Sequence, residues 1–224
     1  MTLDEIALKY GTDKASDVHF YTRYYEQYFE PLRNNELNLL EIGIQEGRSL
    51  KMWKEYFPNA QIIGLDIENC DHLVEDRLSV IRGDQKNVKH LKLLPNIFET
   101  IYGRPDSFDI IIDDGSHKSE DMLVSFETLF PLLKPGGIYV IEDIHVCYWD
   151  ERPFFARKSR LLKRLKALMD DLNARGKSGL ADRAKLEGDQ VYKDHQKRWG
   201  KMTWWEENVE YVHLFRSIAF IKRV

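Results

Sequence analysis

The chain has 224 residues, 43% of them hydrophobic and 31% charged, which suits one large soluble domain with a proper core. A net charge of −4 excludes a surface that is basic overall, so nucleic acid is not an expected partner. Two cysteines, Cys70 and Cys147, are too few for a disulfide framework. The opening MTLDEIALKY lacks a basic-then-apolar leader, and no run approaches the roughly 18 apolar residues of a membrane span. The expected compartment is the cytoplasm, without stable membrane insertion.

Thr2 and Glu5 stand three apart and predict a capping box for a short helix running to about Tyr10. A turn over Gly11–Lys14 follows. The aromatic stretch 19–32, HFYTRYYEQYFEPL, predicts a helix ending near Pro31, its rings serving either as packing or as a lid over a ligand. From Leu37 the pattern changes. LNLLEIGI (37–44) is a short apolar run that predicts a buried strand. GRSLKMWKEYF (47–57) predicts a helix with Leu50, Trp53 and Phe57 on one stripe. QIIGLDI (61–67) and LSVIRGD (78–84) are the next strands, and NVKHLKLLPNIF (87–98) a helix broken near Pro95. FDIIIDD (108–114) is a fourth strand. SEDMLVSFETLFPLL (119–133) is a helix with Met122, Phe126, Leu129 and Leu133 on one face, and Pro135–Gly137 a turn. IYVIEDI (138–144) is a fifth strand.

Residues 151–176 read as a basic amphipathic helix closed by Gly176. Its cluster Arg157, Lys158, Arg160, Lys163, Arg164 and Lys166 is either a solvated face or, with Phe154 and Phe155, a peripheral contact with an anionic surface. Residues 177–200 are weakly patterned. VEYVHLFRSIAFIKR (209–223) predicts two strands around Arg216-Ser217. Strands alternating with helices predict an α/β fold: a Rossmann-like, doubly wound, mainly parallel seven-stranded sheet with a C-terminal antiparallel hairpin. A single domain is expected over 1–224. It comprises an N-terminal helical and aromatic lid (1–36), a core (37–150), a helical or loop insertion (151–208) and terminal strands (209–224). Homo-oligomerisation is left open.

Such sheets bind ligands beyond the carboxyl ends of their strands. The first strand ends in Glu41, Gly43, Gln45 and Gly47, which is neither a G-x-G-x-x-G fingerprint nor a phosphate loop. The second ends in Asp66, placed to accept ribose hydroxyls, and the third in Asp84 and Gln85, placed to read an adenine edge. Each acid alone reads equally well as a cap or surface turn. Glu41 would repel a pyrophosphate and better suits a ligand with a cationic amino-acid part, as in S-adenosylmethionine.

The segments GTDK (11–14), HFYT (19–22), LEIGIQEG (40–47), GLDI (64–67), GDQ (83–85), DDGSH (113–117) and YVIED (139–143) together resemble class I S-adenosylmethionine-dependent methyltransferases. More narrowly, they resemble the metal-dependent sugar O-methyltransferases of the macrocin and mycinamicin type. The resemblance covers most of residues 10–150, with a weaker match in the final IAFIKR. It departs from the usual glycine motif at Gln45. It implies Glu41, Gly43, Gly47, Asp66, Asp84, Gln85 and Asp114 around the cofactor. In this fold the fourth and fifth strands are neighbours, so Asp114, Glu142 and Asp143 would converge. Packed like charges repel unless a cation lies between them, and oxygen-only donors favour magnesium or a similar hard ion. His117, three residues past Asp114, is the expected catalytic base alongside catalytic Asp114, with His145 its competitor.

The expected activity is therefore magnesium-dependent O-methylation of a sugar hydroxyl on a glycosylated natural product or surface glycan. The alternatives are a catechol-type acceptor or a non-catalytic nucleoside-binding protein. Trp204-Trp205 reads either as an acceptor-pocket wall or as packing. Asp113 is left without a role.

Overall fold

The structure is a computed structural model, and the residues it describes are 1–103, 107–149, 159–173 and 203–224. Thr2 and Glu5 do form a reciprocal capping box at the start of α1 (Leu3–Tyr10), which Gly11 closes in the left-handed conformation. The next helix, α2 (Thr22–Phe29), begins three residues later than the aromatic run suggests. The segment between α1 and α2 is held by turns and carries a positive φ at Phe20.

The sheet contains β1 (Asn38–Ile42), β2 (Gln61–Asp66), β3 (Leu78–Arg82), β4 (Phe108–Asp113), β5 (Leu133–Ile141), β6 (Val209–Leu214) and β7 (Ala219–Arg223), in the order β3-β2-β1-β4-β5-β7-β6. The first five pair in parallel, and β7 is antiparallel to both β5 and β6. The expected seven-stranded, doubly wound sheet with its terminal hairpin is borne out. Every residue of β1 is buried, as a central strand covered on both faces requires.

One face packs α1, α2 and α3 (Arg48–Tyr56) around Tyr25, Phe29, Trp53, Ile110 and Phe220. The other packs α4 (Val88–Tyr102), α5 (Ser119–Leu129) and α6 (Arg160–Leu172) around Leu94, Phe98, Phe126, Tyr139 and Leu165. Among the described residues no helix is long and apolar enough to cross a membrane.

Four local expectations need correction. Pro95 does not break α4, which runs through it. The ring removes one ladder hydrogen bond, but Leu91, Leu94, Pro95 and Phe98 are buried together, and that packing outweighs the loss. Pro135–Gly137 is not a free turn; it lies inside β5, where the pairing with β4 shifts register between Phe108 and Ile110 and Gly136 takes φ +80°. The helix before β5 stops at Leu129 and passes into a 3-10 turn over Phe130–Leu132 that contains Pro131. At its other end β5 stops at Ile141, three residues short of the predicted strand, because Asp143 turns left-handed (φ +53°). The basic helix is described over Arg160–Leu172, and Arg157, Lys158, Phe154, Phe155, Gly176 and all of 177–200 lie outside the described residues. Within α6, Arg160 pairs with Glu120 at 2.8 Å and Arg164 with Asp171 at 2.9 Å, while Leu161, Leu165 and Leu168 enter the core.

Candidate active site

Register sets the site. Ile42 pairs with Leu65 and with Asp113, and Asp113 pairs with Ile141, so four strands reach their carboxyl ends at one level. The ladder continues one step further: Gly43 N–H donates to Leu65 O (2.8 Å), Asp114 N–H to Ile42 O (2.9 Å) and Glu142 N–H to Asp113 O (3.0 Å). Gly43, Asp66, Asp114 and Glu142 therefore form one row above the sheet, and the order of strands reverses between β1 and β4 within it. Glycine is required at 43, because its φ is +81° and a Cβ there would lie 2.1 Å from the Asp114 carbonyl oxygen. Three non-glycine residues after these strands, Gln45, His117 and Asp143, also hold positive φ, a strained choice that clusters at functional loops.

Two cavities open over this row. One of about 750 Å³ is lined by Thr12, Asp13, Lys14, Gln45, Glu46, Arg48 and His117, among others. The second, of about 810 Å³, has Ile42, Leu65 and Ile67 beside Asp66, Asp84 and Ser116. Both share Gly43, Gln45 and Asp114, so they are two lobes of one crevice.

The predicted residues divide by what they touch. Asp66 Oδ2 accepts from the Ile44 and Gln45 amides (2.9 and 3.2 Å), which anchors the glycine turn, and its Oδ1 accepts from Glu68 N–H at 3.0 Å. Gly47 begins α3 in the left-handed region. Asp84 caps Lys86 N–H at 2.9 Å on the wall of the second lobe. Gln85 is buried and spends its amide within the protein, donating to Asp113 and Ser125 and accepting from Ser116 N–H at 2.6 Å.

Glu41 is fully buried below the crevice, taking a hydrogen bond from Ser49 Oγ at 2.9 Å. Asp113 now has a place. Its buried carboxylate accepts from Ser125, Tyr139 (3.2 Å), Gln85 and Gly115 N–H, and so fixes the 113–117 loop from beneath. Burial pushes its carboxyl up to about 6. Trp204 and Trp205 do not line the crevice. They pack on Phe130 and Phe126 at the far end of α5, with Arg164 over Trp205.

At the mouth, His117 Nε2 lies 4.0 Å from Asp114 Oδ1 and 3.8 Å from Asp143 Oδ2. One donor atom from each of the three residues falls within 4.8 Å of the others. His145 Nδ1 flanks Asp143 at 3.8 Å. The Nδ1 atoms of both histidines are buried without a partner. Glu142 sits one layer deeper than Asp143: its carboxylate takes hydrogen bonds from Lys14 Nζ at 3.0 Å and from Tyr25 OH. Burial holds its carboxyl well above the usual range, with Lys14 opposing and Asp114 adding to the rise.

Sequence reasoning assigned no role to Lys14, Tyr21 or Tyr25. The Lys14 ammonium is 1% exposed and lies 2.6 Å from Asp114, 3.0 Å from Glu142 and 3.6 Å from Glu41. Burial opposes its charge, but Asp114, Glu142 and Glu41 outweigh that and keep the ammonium protonated. Tyr21 OH donates to Asp143 Oδ1 at 2.6 Å. The sequence signals were that Lys14 and Tyr21 fall in GTDK and HFYT, which belong to the resemblance, and that Tyr21 and Tyr25 lie in the aromatic stretch 19–32.

Burial pushes the Glu41 carboxyl up to about 7, with Lys14 pulling the other way. Its neutral form thus favours the fold: that stability is complete below the ordinary glutamate range and is lost as pH climbs through about 7. The metal-free protein should melt at a lower temperature at about pH 8 than at about pH 5.5, and Glu41→Gln should flatten that fall. Thermal melts of both proteins in EDTA check this.

A methyltransferase-domain family model matches residues 40–144. The chain is 41% identical over 154 residues to demethylmacrocin O-methyltransferase of Streptomyces fradiae, covering 66% of this chain and 37% of that protein. It is equally similar to mycinamicin VI 2''-O-methyltransferase of Micromonospora griseorubida, with the same coverage. Among solved structures, the MycE methyltransferase of the mycinamycin pathway in complex with Mg, SAH and mycinamycin VI superposes with a TM-score of 0.79. That match has 31% identity and covers 100% of this chain and 53% of that one. The chain thus spans well under half the length of these curated relatives.

Strand order and the crevice at the reversal point coincide with the stretch that matches the methyltransferase-domain family. The chain is similar, over about two thirds of its own length, to the macrocin- and mycinamicin-type O-methyltransferases.

Proposed function

We propose that this chain is a magnesium-dependent S-adenosylmethionine O-methyltransferase acting on a sugar hydroxyl of a glycosylated natural product or surface glycan. The observation that carries this reading is the meeting of Asp114, His117 and Asp143 at the mouth of a two-lobed crevice. The residues present fit a divalent cation. They offer hard oxygen donors, several acids whose charge is only partly balanced, and an orphaned histidine nitrogen. Asp114 and Asp143 would hold the ion, with Glu142 behind them. The apolar lobe over Leu65 and Ile67 suits an adenine, with Asp66 and Asp84 toward the ribose, while the lobe beside Asp13 and Arg48 suits the amino-acid part.

When bound, the cation would stabilise a developing alkoxide and the sulfonium would supply the methyl group. The protein's own work is orientation and proton movement. Gly43 lets the cofactor approach the backbone, Asp113 and Gln85 fix the loop that carries Asp114 and His117, and His117 Nε2 takes the hydroxyl proton. A third cavity of about 800 Å³, lined by Ile144, His145, Tyr148, Leu162, Met169 and Phe215, is suited to the apolar remainder of the acceptor. The relatives named above are O-methyltransferases of macrolide glycosides, which supports this class of acceptor. A cytoplasmic setting is part of the reading and is consistent with two free, buried cysteines.

Methyl transfer to a panel of macrolide and rhamnosyl glycosides, measured with magnesium and with EDTA, tests the proposal. Activity on a glycoside that EDTA abolishes is expected. Activity undiminished in EDTA would sink the metal role, and turnover of catechols alone would favour the aromatic-diol reading.

A further inference from the structure

The acids at the strand ends form two tiers. Glu41 and Glu142 are the inner tier, fully enclosed at 0% and 2% exposure. Asp114 and Asp143 are the outer tier, at 18% and 14% for their side chains. Among the described residues one ammonium reaches the inner tier, and it comes from a segment far away in sequence. Lys14 is itself 1% exposed and touches both inner acids as well as Asp114. A buried carboxylate pair without a counter-charge is strongly unfavourable, so something must neutralise it whether or not an exchangeable ion is present. Tyr25 OH on Glu142 and Ser49 Oγ on Glu41 supply hydrogen bonds but no charge.

We propose that Lys14 is a resident cation of this cage: its ammonium permanently compensates Glu41 and Glu142 and limits exchangeable cation binding to the outer tier. Lys14 is thus a positioning residue. It steers Asp114 through the 2.6 Å contact and pins the Gly11–Lys14 turn as a wall of the first lobe. Its positive charge also lowers the cage's attraction for a second cation, because charges this close interact strongly away from bulk water. The outer half of this assignment rests on the cation reading above, and the inner half does not.

Two measurements separate those halves. The first is thermal unfolding in EDTA, at the same alkaline pH as the second, of the wild type, Lys14→Met, Glu142→Gln and the double variant. Lys14→Met strands two inner carboxylates, so it should melt well below the wild type, and adding Glu142→Gln should raise its melting point. A double variant melting at or below Lys14→Met overturns the proposal. If Lys14→Met does not fold, the proposal requires that the double variant does, and failure of both to fold overturns it.

The second is calorimetric titration with Mg²⁺ at alkaline pH. Folded Lys14→Met should bind the ion about tenfold tighter or more, because a competing positive charge is gone. A Lys14 that only braces the loop would give weaker or unchanged binding, and that result overturns the assignment. Should the wild type bind no Mg²⁺, the functional proposal loses its metal while the EDTA melts still decide the role of Lys14.

Discussion

Asp114→Asn is expected to lower methyl transfer by about 10³-fold or more while leaving the protein folded and able to bind S-adenosylhomocysteine. Loss of a metal-assisted step worth several kcal/mol corresponds to a rate factor of that order. The position explains why no neighbour can substitute. Asp114 is the first residue past β4, its amide is locked to Ile42 O at 2.9 Å, and its carbonyl packs on Gly43. Among the described residues its carboxylate is the one that both meets Lys14 below and lies 4.0 Å from His117 above. Asparagine keeps the shape and the backbone register but removes the charge that both contacts use. Initial rates at saturating Mg²⁺, together with calorimetry for S-adenosylhomocysteine, check the prediction. A rate within a few-fold of wild type would remove Asp114 from the reaction.

The second large effect is expected at His117. His117→Gln should reduce the rate by about 10²–10⁴-fold, the range for loss of a positioned general base. The ring is held by a left-handed backbone at φ +54°, with Nε2 facing Asp114 and Asp143 and Nδ1 buried without a partner. His145 approaches Asp143 from the other side and stacks edge-on with Trp149. His145→Gln is therefore expected to stay within about tenfold of the wild-type rate. Initial rates of the three proteins decide between the two rings: a near-wild-type rate in His117→Gln with a large loss in His145→Gln would reverse the assignment.

Local signals carried most of the fold. Apolar runs of strand length, the Thr2–Glu5 box and the stripe through Leu50 and Trp53 each depend on residues a few positions apart, and each matched an element. The same locality explains the misses. Pro95 is a helix breaker by local chemistry, and only its burial beside Leu91 and Phe98 keeps α4 intact. Gly136 marks a turn by local chemistry, and only pairing with β4 draws it into β5.

For the candidate site, the sequence by itself determined which acids stand at strand ends, and the family resemblance implied that DDGSH and IED belong to adjacent strands. That followed because strand alternation and parallel order fix where each strand stops. The tertiary structure alone decided what those acids face. Lys14 reaches Asp114 and Glu142 across 100 and 128 residues of chain, and Tyr25 reaches Glu142 across 117. No spacing rule encodes such contacts. They arise where a helical segment docks over the sheet end, and burial there converts a surface-like lysine into the counter-charge of the site.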